Sequence, residues 1–218
     1  MRAVVVAHGD VDDGDAVYAR DADLVVAADG GSEHLARWGV TPHVVIGDLD
    51  SLAHALPPGA PVERWPREKD KSDTELAVER ALTAGADEVV VLGALGGPRT
   101  DHEIANVVLL ARDAPIASRV RLVRGRLSIR LLRGDARLEL SGRTGDLVTL
   151  LALGGDAAGI ETVGLRYPLR QETLALGSSR GISNEITRPG ATVSVRSGAL
   201  LVIEGGAVAS REQPEPKA

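Results

Sequence analysis

The chain contains no cysteine and no phenylalanine, and aromatic residues make up only 2% of its 218 residues. Without cysteine there is no disulfide, no thiolate nucleophile and no cysteine-bound zinc. With so few rings, the core has to be built from Leu, Val, Ile and Ala. No apolar run approaches the ~20 residues of a membrane span. The net charge is −6 and no basic run is present, so neither a membrane nor a nucleic acid is expected as a partner. The opening stretch Met1–Asp10 reads as a first strand, because its apolar run is too short for a signal peptide; with no export signal, the cytoplasm is the expected location. Lysine is also scarce: only three of the 25 basic residues are lysines, and two of them, Lys69 and Lys71, flank Asp70. The only two asparagines are Asn106 and Asn184, and both fall in segments singled out below.

What is present suits a soluble globular protein, with 44% hydrophobic residues. The length allows one large domain or two small ones. The first half alternates strand and helix. Strands are predicted near 2–7, 23–28, 43–47, 61–65 and 88–92, with helices near 32–38, 73–84 and 101–112. Such alternation implies a parallel, doubly wound α/β sheet. Ser72-Asp73-Thr74-Glu75 fits a capping box, and Thr100-Asp101-His102-Glu103 fits a second. Beyond residue 118 short Leu-rich or β-branched runs alternate with glycine turns, as in 126–132, 136–140, 147–151, 191–195 and 200–203, and Gly134-Asp135 reads as a hairpin turn. The expected division is therefore an α/β domain over 1–118, an all-β sandwich-like or barrel-like domain over 119–210, and a disordered tail over 211–218.

The most informative segment is Gly47-Asp48-Leu49-Asp50-Ser51, directly after Val44-Val45-Ile46. Residues two apart share one face of an extended chain, so a buried strand ends in two carboxylates that point the same way. Like charges that close repel. A divalent cation removes the conflict, and Mg²⁺ is held by one or two carboxylates plus substrate phosphates. Open α/β sheets place ligands at the carboxyl ends of their strands. A polar turn with Asp48 or Asp50 capping a helix is the structural alternative. Three further segments occupy equivalent strand-to-helix positions: Asp29-Gly30-Gly31, Glu68–Glu75 and Gly93–His102. Asp73 and Asp101 would lie in first helical turns, where a carboxylate gains roughly 0.3–1 kcal/mol from the helix dipole without any catalytic role.

Other signals carry less. Gly177-Ser178-Ser179-Arg180-Gly181 matches the nucleophile-elbow pattern, but no Asp or His follows Ser179. Gly93–Arg99 lacks the Gly-Lys-Ser/Thr ending of a P-loop. Asp10–Asp15 has its glycine one residue early for a calcium loop and no closing Glu, so it reads as a solvated turn. His8, His34, His43 and His54 show no paired zinc spacing and read as surface or capping residues.

Taken in order, the motifs resemble those of the thiamine pyrophosphokinase family: Asp29–Gly31, Gly47–Ser51, Lys69–Asp73, Gly96–His102 with Asn106, Gly164–Leu169, and Ser183-Asn184-Glu185. The resemblance spans roughly residues 25–205. It implies transfer of the β,γ-diphosphoryl group of ATP to the hydroxyl of thiamine, releasing AMP. It further implies that Asp48, Asp50 and Asp73, with Asp70 nearby, hold Mg²⁺. Asp29, Gly30, Gly31, Lys69, Lys71, Arg99, His102 and Asn106 would face ATP, the two glycines letting the ligand approach the backbone. Arg99 would also stabilise transferred charge. Asp73 or Asp101 would accept the alcohol proton, and Ser183 and Asn184 would bind thiamine. In that family the active site forms between two subunits, which implies a homodimer with shared sites. Two other readings stay open: a diphosphokinase for another heterocyclic alcohol such as a hydroxymethylpterin, and a non-catalytic nucleotide or thiamine sensor.

Overall fold

The computed structural model describes residues 1–48 and 59–205. The chain divides into two compact units, Met1–Arg133 and Gly134 onward. The division falls after Arg133 rather than after residue 118.

In the first unit, β1 (Arg2–Val6) is followed by a 3-10 turn (Asp13–Asp15), α1 (Ala16–Arg20), β2 (Leu24–Ala28), α2 (Gly31–Trp38), β3 (Val44–Gly47) and β4 (Val62–Arg64). Next come α3 (Asp73–Thr83), β5 (Glu88–Leu92), α4 (Thr100–Leu109), α5 (Ala114–Arg119), β6 (Val120–Arg124) and β7 (Leu127–Arg133). The strand order is β7-β6-β5-β1-β2-β3-β4. All neighbours are parallel except β6 and β7. From β1 the chain steps outward through β2, β3 and β4, then returns to the other side of β1 with β5. The boundary between β1 and β5 is therefore the topological switch point of a doubly wound sheet.

The strands read as near-continuous valine runs because helices cover both faces. Val4, Val6, Val25, Ala27, Val45, Val90 and Leu92 form one buried set with Ala16, Ala19, Leu35 and Trp38 of α1 and α2. The alternate residues Ala3, Val5, Val26, Ile46, Val89 and Val91 are also buried, and α3 lies across β1, β2, β3 and β5. Helix α3 starts as its sequence predicts: the Ser72 hydroxyl accepts the Glu75 amide at 3.1 Å. The second capping box does not form. The helix begins at Thr100, Arg99 holds the cap position, and no side chain caps it. The acidic run 10–15 is a turn, but Asp15 is buried, not solvated. Its carboxylate accepts the amides of Asp12 and Gly125, each at 2.9 Å, tying the turn to the β6–β7 hairpin. Burial pushes its pKa up.

The second unit contains β8 (Ala136–Glu139), β9 (Leu147–Ala152), β10 (Ala157–Val163), β11 (Arg170–Leu174), β12 (Asn184–Glu185), β13 (Thr192–Val195) and β14 (Ala199–Gly205). Two antiparallel groups, β12-β9-β14 and β11-β10-β13-β8, give a sandwich-like β domain. Gly134-Asp135 is not a hairpin turn: β8 pairs with β13 rather than with β7. The tight hairpin lies earlier, at Gly125-Arg126, where Gly125 takes φ +55°. Among the described residues no helix is long and apolar enough to cross a membrane.

Candidate active site

Register aligns the strand ends. Val6 of β1 stands beside Ala27 of β2 and Leu92 of β5, and Ala28 stands beside Ile46 of β3. The residues just beyond, His8, Asp29, Asp48 and Gly93, therefore emerge along one edge, at the switch point. They border a cleft of about 910 Å³ in the first unit. The loop before α3 adds Arg67, Lys69 and Lys71, α3 itself adds Asp73, the β5–α4 turn adds Gly96–Arg99, and α4 adds His102 and Asn106.

Three carboxylates converge on its floor. Asp29 adopts φ +45°, and its amide donates to the Ile46 carbonyl at 2.8 Å. This turn brings the side chain over Gly47, where a Cβ would lie 3.0 Å from Asp29 Cβ and 3.3 Å from Asp73 Oδ1. Lys69 Nζ is 3.7 Å from Asp48 Oδ2 and 3.2 Å from Asp73 Oδ1, with its side chain only 11% exposed. Lys69 meets Asp73 as an ion pair, and Asp73 Oδ1 and Asp29 Oδ1 are buried carboxylate oxygens without a geometric hydrogen-bond partner among the described residues. Burial raises the Asp73 pKa; Lys69 opposes the rise, while Asp29 and Asp48 add to it by repulsion.

The donor set fits Mg²⁺: hard carboxylate oxygens in excess over one ammonium, with two oxygens unsatisfied. Among the described residues no group of three or more His, Asp or Glu is placed to hold a metal ion by itself. Asp50 lies outside the described residues.

Other expected site residues are placed variously. Lys71 lines the cleft, and both Glu79 carboxylate oxygens accept from its Nζ at 2.8 Å. Asn106 is buried and donates Nδ2 to the Ala94 carbonyl at 2.9 Å, bracing the β5–α4 turn. Asp70 lines a neighbouring cavity of about 440 Å³ with Trp65 and Leu76 instead. Asp101 is 64% exposed and locked to Arg99 by two hydrogen bonds of 2.9 and 2.7 Å. Arg99 holds the Asp101 carboxyl far below the usual carboxylate range. Gly30 and Gly31 answer to the protein's own packing: a Cβ on Gly30 would reach 2.3 Å from His8 Nδ1, and one on Gly31 would reach 1.9 Å from the Val6 carbonyl oxygen.

The residue types alone led past His8 and Arg67, which both line the cleft. The available signal for His8 was position, immediately after the central strand. Its Nε2 is 3.6 Å from Glu33 Oε2. His34 is half-buried, which lowers its pKa, and its Nε2 lies 2.9 Å from the Gly9 carbonyl. His43 caps a strand edge, Nδ1 accepting the Val25 amide at 3.0 Å. His54 lies outside the described residues.

In the second unit, Asn184 is buried and its amide is committed to the backbone. Oδ1 accepts the amides of Tyr167 and Glu185, both at 2.9 Å, and Nδ2 donates to the Tyr167 carbonyl at 2.7 Å. It thereby clamps Tyr167, whose side chain is exposed beside a cavity of about 330 Å³ lined also by Leu150, Pro168, Arg180 and Ile182. Ser183 is exposed at φ +56°, its amide donating to Thr149 Oγ1 at 3.1 Å; unlike Asn184, it does not line that cavity.

Two family models match the chain. One, described as thiamin pyrophosphokinase, catalytic domain, covers residues 16–122, and the other, thiamin pyrophosphokinase, vitamin B1 binding domain, covers residues 136–200. A thiamine pyrophosphokinase of Bacillus subtilis is 28% identical over 192 residues, spanning 85% of this chain and 89% of the relative. Thiamine pyrophosphokinase 1 of Oryza sativa is also 28% identical, spanning 83% of this chain and 78% of its own. Among solved structures, the thiamine pyrophosphokinase of Bacillus subtilis superposes with a TM-score of 0.82 at 25% identity, over 95% of this chain and all of that one. That of Geobacillus thermodenitrificans gives 0.79 at 27% identity, over 96% and 99%.

Proposed function

The chain belongs to the thiamine pyrophosphokinase family, and on that premise we propose that it transfers the β,γ-diphosphoryl group of ATP to the hydroxyl of thiamine, giving thiamine diphosphate and AMP. The observation that carries the reading is the cleft at the switch point, where Lys69 pairs with Asp48 and Asp73, Asp29 adds like charge beside Asp73, and two carboxylate oxygens have no hydrogen-bond partner among the described residues. A polyanionic substrate with its cation satisfies both the carboxylates and the surrounding bases.

In the reaction, the thiamine hydroxyl oxygen forms a bond to the β-phosphorus, the bond from that phosphorus to the α,β-bridging oxygen breaks, and AMP leaves with the electron pair. Such transfers depend on positioning and charge stabilisation more than on covalent help. Mg²⁺ held by Asp48 and Asp73, with Asp50, would neutralise charge on the triphosphate. Lys69, Lys71, Arg67 and Arg99 line the same cleft and offset charge on the migrating group and on AMP. For the alcohol proton, Asp73 is the better placed carboxylate, because it lines the cleft while Asp101 is exposed and tied to Arg99. For thiamine, the clamp on Tyr167 makes Asn184 a residue that positions the only ring of the second unit. We extend the proposal to a cytoplasmic homodimer with shared sites. Native mass, with recovery of activity on mixing Asp73→Asn and Tyr167→Ala chains, tests the assembly.

The test of the activity is product identity. Mg-ATP with thiamine should yield AMP and thiamine diphosphate in equal amounts, and Mg-ATP alone should yield neither. ADP as product would replace the proposal with a monophosphoryl transfer. Turnover of a hydroxymethylpterin in place of thiamine would move it to another heterocyclic alcohol, and binding without turnover would make the chain a sensor.

A further inference from the structure

We propose that the cavity lined by Asp70 and Trp65 is an effector site for a small aromatic cation, coupled to the carboxylate cleft through Lys69 and Lys71. The site itself stands on its own geometry. The coupling rests on ATP as the ligand of the carboxylate cleft.

The cavity exists because the sheet extends past the helix that covers it. Helix α3 lies across β1, β2, β3 and β5, and β4 adds one more strand at the edge. Glu63 of β4 stands in register beside Ile46 of β3. Beyond it, the Trp65 amide donates to the Gly47 carbonyl at 3.1 Å, so the pairing continues. Residues two apart share a face of an extended chain, so Glu63 and Trp65 form a shelf on one side. Between this shelf and α3 lies a space of about 440 Å³, with buried Ile46 and Leu76 as its apolar floor and Thr83 at its far end. That volume lies within the range of small-molecule sites, roughly 300–1,000 Å³.

The charges around this space are matched except for one. Arg80 Nε donates to Glu63 Oε1 at 2.8 Å, and Lys71 Nζ donates to both Glu79 oxygens at 2.8 Å. The Lys69 ammonium is committed to Asp73 and Asp48, at 3.2 and 3.7 Å. Asp70 has no hydrogen bond or ion pair among the described residues. Trp65 is 43% exposed and stacks on no other ring among them. A free carboxylate beside an open indole face suits a flat apolar ligand that carries positive charge. An anion would instead meet Asp70, Glu63 and Glu79. Lys69 and Lys71 line both this cavity and the carboxylate cleft. Polyphosphate in the cleft draws their positive charge toward itself, and a cation in the cavity repels it in the same direction. Each ligand therefore favours the lysine placement that the other needs, and the gain is equal both ways.

Trp65 reports its own ligand, since the chain's other tryptophan, Trp38, is buried. The probes are phenethylamine, a cation at neutral pH, and phenethyl alcohol, its neutral counterpart. Phenethylamine should change the Trp65 emission saturably, with a Kd of about 1 mM. Phenethyl alcohol should bind about fivefold more weakly. Asp70→Asn, shown to be folded by an unchanged unfolding midpoint, should bind the two probes alike. Trp65→Leu should lose phenethylamine binding by saturation-transfer NMR. With a non-hydrolysable ATP analogue and Mg²⁺ bound, the phenethylamine Kd should fall about threefold. In the AMP-release assay phenethylamine should lower the ATP KM and leave the thiamine KM unchanged. The absence of a saturable change overturns the site, as does a preference for the amine that survives Asp70→Asn. Strict competition with thiamine overturns it by making the cavity the acceptor's own place. Trp65 emission that varies with protein concentration alone does so by putting a second copy on the shelf. A Kd unmoved by bound analogue overturns the coupling. Failure of the ATP reading looks different: the analogue itself would not bind, while phenethylamine still would.

Discussion

The second unit and the cleft of the first treat their buried polar groups in opposite ways. In the second, Glu204 is buried but accepts the amides of Ser141 and Gly142 at 2.7 and 3.0 Å, and Asn184 spends its amide on the backbone of Tyr167 and Glu185. In the cleft of the first, Asp29 and Asp73 each keep a buried carboxylate oxygen without a hydrogen-bond partner among the described residues, and Asp73 faces like charge from Asp29 and Asp48. A satisfied buried carboxylate holds a loop. An unsatisfied one is destabilising on its own and implies a ligand that completes it. The difference separates structural from functional acids where residue type does not.

The most damaging test of that distinction is to neutralise acids of the cleft. Asp48→Asn and Asp73→Asn should each lower kcat for AMP release by roughly 10²-fold or more, with circular dichroism unchanged. Near-normal turnover at limiting Mg²⁺ would remove the residue from the site. Next in size, Asn184→Ala should raise the thiamine KM and also destabilise the protein by about 1–3 kcal/mol, since the Tyr167 clamp is lost. Tyr167→Ala should raise the same KM with little loss of stability, its side chain being exposed. Equal loss of stability in the two would mean that the clamp is not what Asn184 provides.

Glu204→Gln should cost about 1–3 kcal/mol in urea unfolding and leave the folded enzyme's kcat alone, the inverse of Asp73→Asn. The smallest effect is on Asp73 itself. Its folded pKa is raised, so above that pKa its ionised form counts against the folded state. Asp73→Asn should therefore melt higher than wild type in metal-free buffer, by roughly 2–4 °C if the relief is about 1 kcal/mol. The gap should narrow as the pH falls through the raised pKa and close below 3.8, where the wild-type carboxyl is protonated in both states.

Much of this arrangement was legible in the sequence. Valine runs ending in Asp29, Gly47-Asp48 and Gly93 located the strand ends, because β-branched runs and the glycines that stop them are local signals. The capping hydroxyl of Ser72 fixed the start of α3 and with it the place of Asp73. Strands β10 and β11 escaped: Gly159 interrupts one, and the other is a polar edge strand, RQETL, with no alternating pattern to read. The separation of Asp70 from Asp73 was not legible either. Both precede or open one helix, and only the path of the loop sends Asp70 to a different cavity. Asn184 was expected to meet thiamine from the family resemblance of Ser183-Asn184-Glu185 and the rarity of asparagine, but neither tells whether an amide faces a ligand or a neighbouring backbone. Gly30 and Gly31 were assigned to ligand approach because a motif with two bare backbone positions suits a close ligand. Their close neighbours are His8 and β1, contacts distant in sequence.

The claim that the unsatisfied carboxylates are kept for a metal-bound nucleotide is tested most directly by calorimetric titration of wild type and Asp73→Asn with a non-hydrolysable ATP analogue, with and without Mg²⁺. Wild type should bind the analogue more tightly when Mg²⁺ is present, and Asp73→Asn should lose most of that Mg²⁺-dependent gain. Binding by Asp73→Asn with the wild-type affinity and the same Mg²⁺ dependence would contradict it.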